Sequence, residues 1–149
     1  MDAIRSVCYI EFVMLSETDI NGTAHKEMAK TILIADDSAQ VRKYVAKLLR
    51  ANEDFELCEE AVDGFDALAK AKECHPDLII LDLGMPVMNG LETARELKRV
   101  MPVVPIILFT LHGDVVSDEQ ASSSGIDLVI AKSDISKLSE HVRSLLQLN

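Results

Sequence analysis

The sequence predicts an α/β fold: a doubly wound, five-stranded parallel sheet in a three-layer sandwich. Three observations predict it. From residue 31 onward, short continuous apolar runs alternate with amphipathic helical stretches five times. Continuous apolar runs flanked by such helices mean strands buried on both faces, joined by right-handed crossovers. Finally, several of the runs end on Asp, Thr or Lys, at the sheet edge where ligands of open α/β sheets bind.

The elements follow in order. Thr31 to Ala35 is the first apolar run, and it ends in Asp36 and Asp37. Ser38 is placed to cap the next helix. There Val41, Tyr44, Val45, Leu48 and Leu49 share one helical stripe. Phe55 to Ala61 reads as the second strand. Asp63 then caps a helix carrying Phe65, Leu68 and Ala69 to about Cys74, and Pro76 stops it. Leu78 to Leu81 is the third strand, closing on Asp82. Leu91 to Val100 forms the third helix, with Leu91, Ala94 and Leu97 inward. Pro102 and Pro105 punctuate the turn before the fourth strand, Ile106 to Phe109. Asp114 to Ser123 is a Ser-rich helix with few apolar anchors. Leu128 to Ala131 is the fifth strand, and Ile135, Leu138, Val142, Leu145 and Leu146 mark the last amphipathic helix.

Composition narrows the function. The 149 residues are 48% hydrophobic, enough for one buried core at this length. The formal net charge of −10 argues against a nucleic-acid partner, because such proteins concentrate Lys and Arg against phosphates. Cys8, Cys58 and Cys74 match no zinc or CxxC spacing and read as reduced thiols. His25, His75, His112 and His141 are scattered. Ile4 to Leu15 is too short to span a bilayer and is broken by Arg5 and Glu11, and Asp2 spoils a signal peptide. Neither a membrane role nor export is expected, so the chain reads as cytoplasmic. Residues 1–27 are polar in their second half and include the turn signal Asn21-Gly22. They read as a peripheral or disordered extension, or as a stretch preceding a natural start at Met28, with one domain over 28–149.

The strand ends carry the chemistry. Asp36 and Asp37 follow strand one, Asp82 follows strand three, Thr110 strand four and Lys132 strand five. Adjacent acids after a strand are often only helix caps, and a lone Lys there is usually just solvated. Their convergence on one sheet edge is harder to explain that way. Three carboxylates close together repel, and a hard divalent cation with oxygen preference relieves this. A carboxylate can also attack phosphorus and form an aspartyl phosphate. Charge developing on phosphoryl oxygens then needs a cation and a hydrogen-bond donor, and Lys132 and Thr110 are of those types.

Residues 31–148 resemble a response-regulator receiver domain. The resemblance rests on Ile34-Ala35-Asp36-Asp37-Ser38, on Asp77 to Asp82 with Leu83-Gly84-Met85-Pro86-Val87-Met88-Asn89-Gly90, on Ile106 to Thr110, and on Lys132. It implies the flavodoxin-like strand order 2-1-3-4-5. It further implies that Asp82 accepts a phosphoryl group from a sensor histidine kinase or a phosphotransfer protein. Asp37, Asp82 and the backbone carbonyl of Gly84 would bind Mg²⁺, or Mn²⁺ in its place, with Asp36 acting through a metal-bound water. Thr110 and Lys132 would contact the phosphoryl oxygens, and Pro86 and Gly90 would shape the loop after strand three. Output would run to a downstream protein target or a second copy, through the face of helix four, strand five and helix five. The expectation is a regulatory phosphoacceptor without an output domain, and not an enzyme acting on other substrates.

Four positions depart from the family pattern. Leu111 stands where a small residue is preferred, Gly84 leaves no side chain over the site, and Ser133 replaces the common Pro after Lys132. Val129 stands where the family carries an aromatic switch residue. Strand alternation turns Leu128 and Ile130 to the core, which places Val129 on the other face, toward the outer surface. A Val side chain is short and stiff, so the weakly anchored fourth helix is the expected moving part. Two other readings stay open: a pseudo-receiver that never takes phosphate, and a phosphohydrolase with an aspartate nucleophile. The Asp-Asp pair without a spacer fits the second poorly.

Overall fold

A computed structural model describes residues 28–148; the extension read over 1–27 lies outside them. The strands are β1 (Lys30–Ala35), β2 (Phe55–Ala61), β3 (Leu78–Leu81), β4 (Ile106–Thr110) and β5 (Leu128–Ala131). The helices are α1 (Ala39–Arg50), α2 (Gly64–Cys74), α3 (Gly90–Val100), α4 (Asp118–Ser123) and α5 (Leu138–Leu145), with 3₁₀ turns at Gly113–Val115 and Lys132–Lys137. All five strands are parallel, in the order β2-β1-β3-β4-β5. The doubly wound fold expected from the sequence is the fold observed.

Each strand feeds two cores because successive side chains point to opposite faces. Leu33, Ala35, Ile79, Leu81, Ile106 and Leu108 pack with α2, α3 and α4. Ile32, Ile34, Leu78, Ile80, Ile107 and Phe109 pack with Val45 and Leu49 of α1 and Leu138 and Val142 of α5. Local signals hold at the helix starts. Ser38 Oγ accepts from Val41 N at 3.4 Å, and Asp63 Oδ1 accepts from Asp66 N at 2.8 Å. Asn89 and Glu92 form a reciprocal capping box at α3.

Several details differ from the sequence reading. Tyr44 and Phe65 are each 58% exposed instead of core. Helix α1 seats Ala46 beside Val45 and Leu49. Helix α2 buries Gly64, Ala67 and Ala71 and leaves Ala69 outside. Small residues let α2 approach closely: a Cβ at Gly64 would lie 2.3 Å from Thr93 Oγ1 of α3. The fourth helix is shorter than expected, starting at Asp118 behind a Ser117–Gln120 capping box. It is also better anchored, because Val116, Ala121 and Ile126 are buried around it. Its apolar anchors stand mostly at its ends, where a count of residues within the helix misses them.

The β1–β2 ladder slips by one residue. Ile32 pairs with Leu57 but Leu33 pairs with Glu59, which leaves Cys58 as the extra residue of a bulge on this edge strand. Just past α4, Ser124 is 1% exposed and its Oγ has no hydrogen-bond partner. A buried hydroxyl without a partner costs free energy. We expect Ser124→Ala to keep or raise stability, by up to about 1 kcal/mol. A clear drop in the urea midpoint would show that the hydroxyl has a partner after all.

Candidate functional site

Strand register assembles the site. Ala35 of β1 pairs with Leu81 of β3, so the next residues along each strand, Asp36 and Asp82, emerge side by side. Thr110 of β4 pairs with Ala131 of β5, which brings Lys132 next to Thr110. Backbone bonds hold the strand ends: Asp82 N donates to Ala35 O at 2.8 Å and Asp36 N to Ala61 O at 3.1 Å. All five predicted groups line one cleft of about 410 Å³, together with Gly84, Leu111 and His112.

The charges are arranged unequally. Asp36, Asp82 and Thr110 are buried, whereas Asp37 is exposed. Lys132 Nζ lies 2.7 Å from Asp36 Oδ2 and 3.1 Å from Asp82 Oδ1, so one ammonium serves two carboxylates. Asp36 Oδ1 also accepts the Ser38 N–H at 2.8 Å. Burial pushes the Asp82 carboxyl above the usual carboxylate range, the Asp36 charge pushes the same way, and Lys132 only partly opposes them. Burial also works against the Lys132 ammonium, but Asp36 and Asp82 outweigh it and hold its pKa above the ordinary value.

This arrangement has a stability consequence with a definite sign. Asp82 has a higher pKa folded than unfolded, so the unfolded chain gives up that proton first. Ionising Asp82 therefore subtracts stability as pH rises through the unfolded value and up to the folded one, and subtracts nothing at lower pH. Asp82→Asn should raise the metal-free melting temperature by a few degrees at neutral pH. Lys132 keeps Asp36 as a partner in that variant. The gain should vanish in acid. A variant that melts lower than wild type at pH 7 would contradict the assigned sign.

Carboxylate oxygens of Asp36, Asp37 and Asp82 all lie within 4.8 Å of one another. Oxygen-only donors at that spacing, one of them open to solvent, suit a hard divalent cation that keeps several waters. Gly84 lies beside them: a Cβ there would sit 3.9 Å from Asp82 Oδ2. The loop that returns from this point is tightly built. Gly90 N donates to Leu83 O at 3.0 Å, and Met88 N reaches Pro86 O at 2.8 Å across Val87. Val87 has φ 69, an unusual conformation for a β-branched residue. Pro86 itself is exposed and is not among the residues that line the cleft.

Thr110 Oγ1 accepts the His112 N–H at 3.4 Å, which leaves its own proton for another acceptor. Leu111 is 70% exposed on the cleft rim. Val129 requires a correction. Alternation does put it on the face opposite Leu128 and Ile130, but that face is covered, and Val129 is half-buried against the core with Val116, Ala121 and Ile126. Both faces of a doubly wound sheet carry helices, so the opposite face is not the outside. Ser133 is exposed in the 3₁₀ turn after β5.

Two residues at the site were not read from the sequence. Arg42 Nη1 donates to Asp36 O at 2.7 Å while its Nε lies 3.3 Å from Glu60 Oε1, tying the acid pair to β2. Its place on the helix one turn after the acids was the available signal. His112 lines the cleft directly after the β4 end. Nothing in its spacing marks it.

Comparisons with known proteins agree with this geometry. The sequence profile of the family described as response regulator receiver domain matches residues 32–143. The response regulator protein VraR of Staphylococcus epidermidis is 36% identical over 105 residues, covering 70% of this chain and 50% of VraR. The chain thus spans about half the length of that relative. The solved REC domain of AraT, a response regulator from Geobacillus stearothermophilus, superposes with TM-score 0.72 at 30% identity, over 80% of this chain and 95% of that one. The CheX–CheY–BeF₃–Mg²⁺ complex from Borrelia burgdorferi superposes with TM-score 0.71 at 26% identity, over 78% of this chain and 88% of that one.

Proposed function

Since this chain belongs to the response-regulator receiver family, we propose that it takes a phosphoryl group onto Asp82 and signals by protein contact. The observation that carries this reading is the three-carboxylate cluster bridged by Lys132. In it Asp82 directly follows β3 and has a carboxylate oxygen 3.1 Å from the Lys132 ammonium. The donor would be a sensor histidine kinase or a phosphotransfer protein, and the output a downstream protein or a second copy. The cytoplasm is the compartment that suits such a relay; among the described residues no helix is long and apolar enough to cross a membrane.

The roles follow from charge. An Asp82 carboxylate oxygen would attack phosphorus in line with the leaving group. Lys132, already within 3.1 Å of Asp82, would stay close to the transferred oxygens as they gain charge. The Thr110 hydroxyl would donate to another of them. Asp37, Asp82 and the Gly84 carbonyl would hold Mg²⁺ or Mn²⁺, with Asp36 through a water. That cation would neutralise charge on the phosphoryl oxygens. Arg42 would keep the Asp36 backbone in place. The same metal is bound with beryllofluoride in the Borrelia CheY complex.

Acetyl phosphate with Mg²⁺ tests the proposal. Intact-mass measurement should show one added phosphoryl group that hydroxylamine removes, and Asp82→Ala should show none. Modification of that variant as full as in wild type would overturn the assignment. Repeated turnover of a phosphate ester would favour a phosphohydrolase, and no modification at all a pseudo-receiver.

A further inference from the structure

We propose that Cys58 and Cys74 form a reversible dithiol–disulfide site, oxidised by small-molecule disulfides such as oxidised glutathione. The two Sγ atoms lie 2.8 Å apart although the residues are 16 positions apart in the chain. That is well inside the contact of unbonded sulfur atoms, and a short movement away from the ~2.05 Å of a covalent bond. Both residues are half-buried and free of any disulfide.

The fold makes this meeting by a specific device. The bulge in the β1–β2 ladder inserts Cys58 as an unpaired residue. A bulge re-aims a side chain and switches the face on which the later strand residues lie. Phe55 and Leu57 before it belong to the α1–α5 core, whereas Cys58 and Ala61 belong to the core beneath α2. Cys74 is the last residue of α2. The bulge and the helix end therefore converge on one point at the sheet edge. Neither sulfur is among the residues that line the phosphoryl cleft.

The chemistry balances without a metal. Burial raises both thiols above their ordinary range, and for Cys74 the neighbouring Glu59 and Glu73 charges add to this. The Cys58 thiol, by hydrogen bonding to Cys74, favours the Cys74 thiolate and disfavours its own. Either sulfur of so close a pair can attack first, and with Cys74 in that role the atoms balance. The Cys74 thiolate attacks one sulfur of oxidised glutathione, the glutathione S–S bond breaks, and one glutathione leaves with the proton that Cys74 released. Cys58 then attacks Sγ of Cys74 in the mixed disulfide. The second glutathione leaves with the Cys58 proton. Two protein thiols lose two hydrogens, and one glutathione disulfide becomes two thiols. Raised thiol pKa values make the first attack slow at neutral pH, so the site answers to sustained oxidation and not to brief pulses.

The resulting link would staple edge strand β2 to the end of α2, and closing such a loop constrains the unfolded chain. The full-length protein, incubated with oxidised glutathione, should yield a Cys58–Cys74 cross-linked peptide as the main product. Both thiols should lose alkylation together, and the melting temperature should rise by about 10 °C, reversed by dithiothreitol. Cys58→Ala should instead stop at a glutathione adduct on Cys74. The proposal is overturned if wild type stays fully alkylatable, stops at single glutathione adducts, or links either cysteine to Cys8.

Discussion

Replacing Lys132 with Met is expected to slow phosphoryl incorporation at Asp82 by roughly 10²–10³-fold, the effect of deleting one preorganised electrostatic stabiliser. The same change should destabilise the metal-free domain by about 3 kcal/mol. The reason is geometric. The Lys132 side chain is only 12% exposed and bridges Asp36 and Asp82, whose side chains are 3% and 9% exposed. Removing the ammonium leaves two buried carboxylates facing each other. The Lys132 Nζ also lies 6.0 Å from the Phe109 ring centroid; Met gives up that contact but keeps an aliphatic chain of similar length, so packing loss contributes little. A divalent cation added to the variant should restore much of the stability while leaving transfer slow, because charge on Asp36 and Asp82 would again be countered. Urea unfolding with and without Mg²⁺, beside acetyl-phosphate kinetics, measures both effects. Wild-type stability in the metal-free variant would mean that Asp36 and Asp82 share a proton there instead of repelling.

Gly90→Ala is the second large effect, a loss of about 3 kcal/mol from steric overlap in a packed interior. Intrinsic propensity predicts the opposite sign, since Ala in a helix is favoured over Gly by about 1 kcal/mol. The structure decides between them. A Cβ at position 90 would lie 2.4 Å from the Asp82 carbonyl oxygen and 2.8 Å from Leu108 Cδ1. The first of these atoms is backbone and cannot rotate away. Relief requires α3 to move off the sheet or the Asp82 backbone to shift. Phosphoryl incorporation should fall with stability, even under conditions where the variant remains folded. Unchanged urea midpoints would show that the loop between Asp82 and Gly90 yields freely.

Much of this was legible in the residues themselves. Apolar runs and stripes marked all five strands and the helices between them, because burial on two faces demands continuous apolar strands. The acids at 36, 37 and 82, with Thr110 and Lys132, could be placed at one edge from strand order alone. Other features were not legible. Tyr44 and Phe65 satisfy helical periodicity yet stand in solvent, because α1 meets the sheet through Val45, Ala46 and Leu49 and α2 through Gly64, Ala67 and Ala71. Val129 obeys strand alternation but lands beneath α4, since alternation says which face and not what covers it. Cysteine spacing matched no paired pattern and read as reduced thiols, and it held no sign that a one-residue slip against β1 brings Cys58 to Cys74.

The periodic pattern, the helix caps and the residue types at each strand end can be read directly from the chain. These are local properties, set by hydrogen-bonding side chains a few positions away and by the alternation of apolar residues. Folding alone sets which carboxylate is buried and which is open, lets one lysine serve Asp36 and Asp82 together, and has Arg42 tie the acid pair to β2. Those outcomes depend on strand register and on the distance at which helices settle against the sheet. Both are set by summed packing across the whole domain, and no single stretch of chain carries that information.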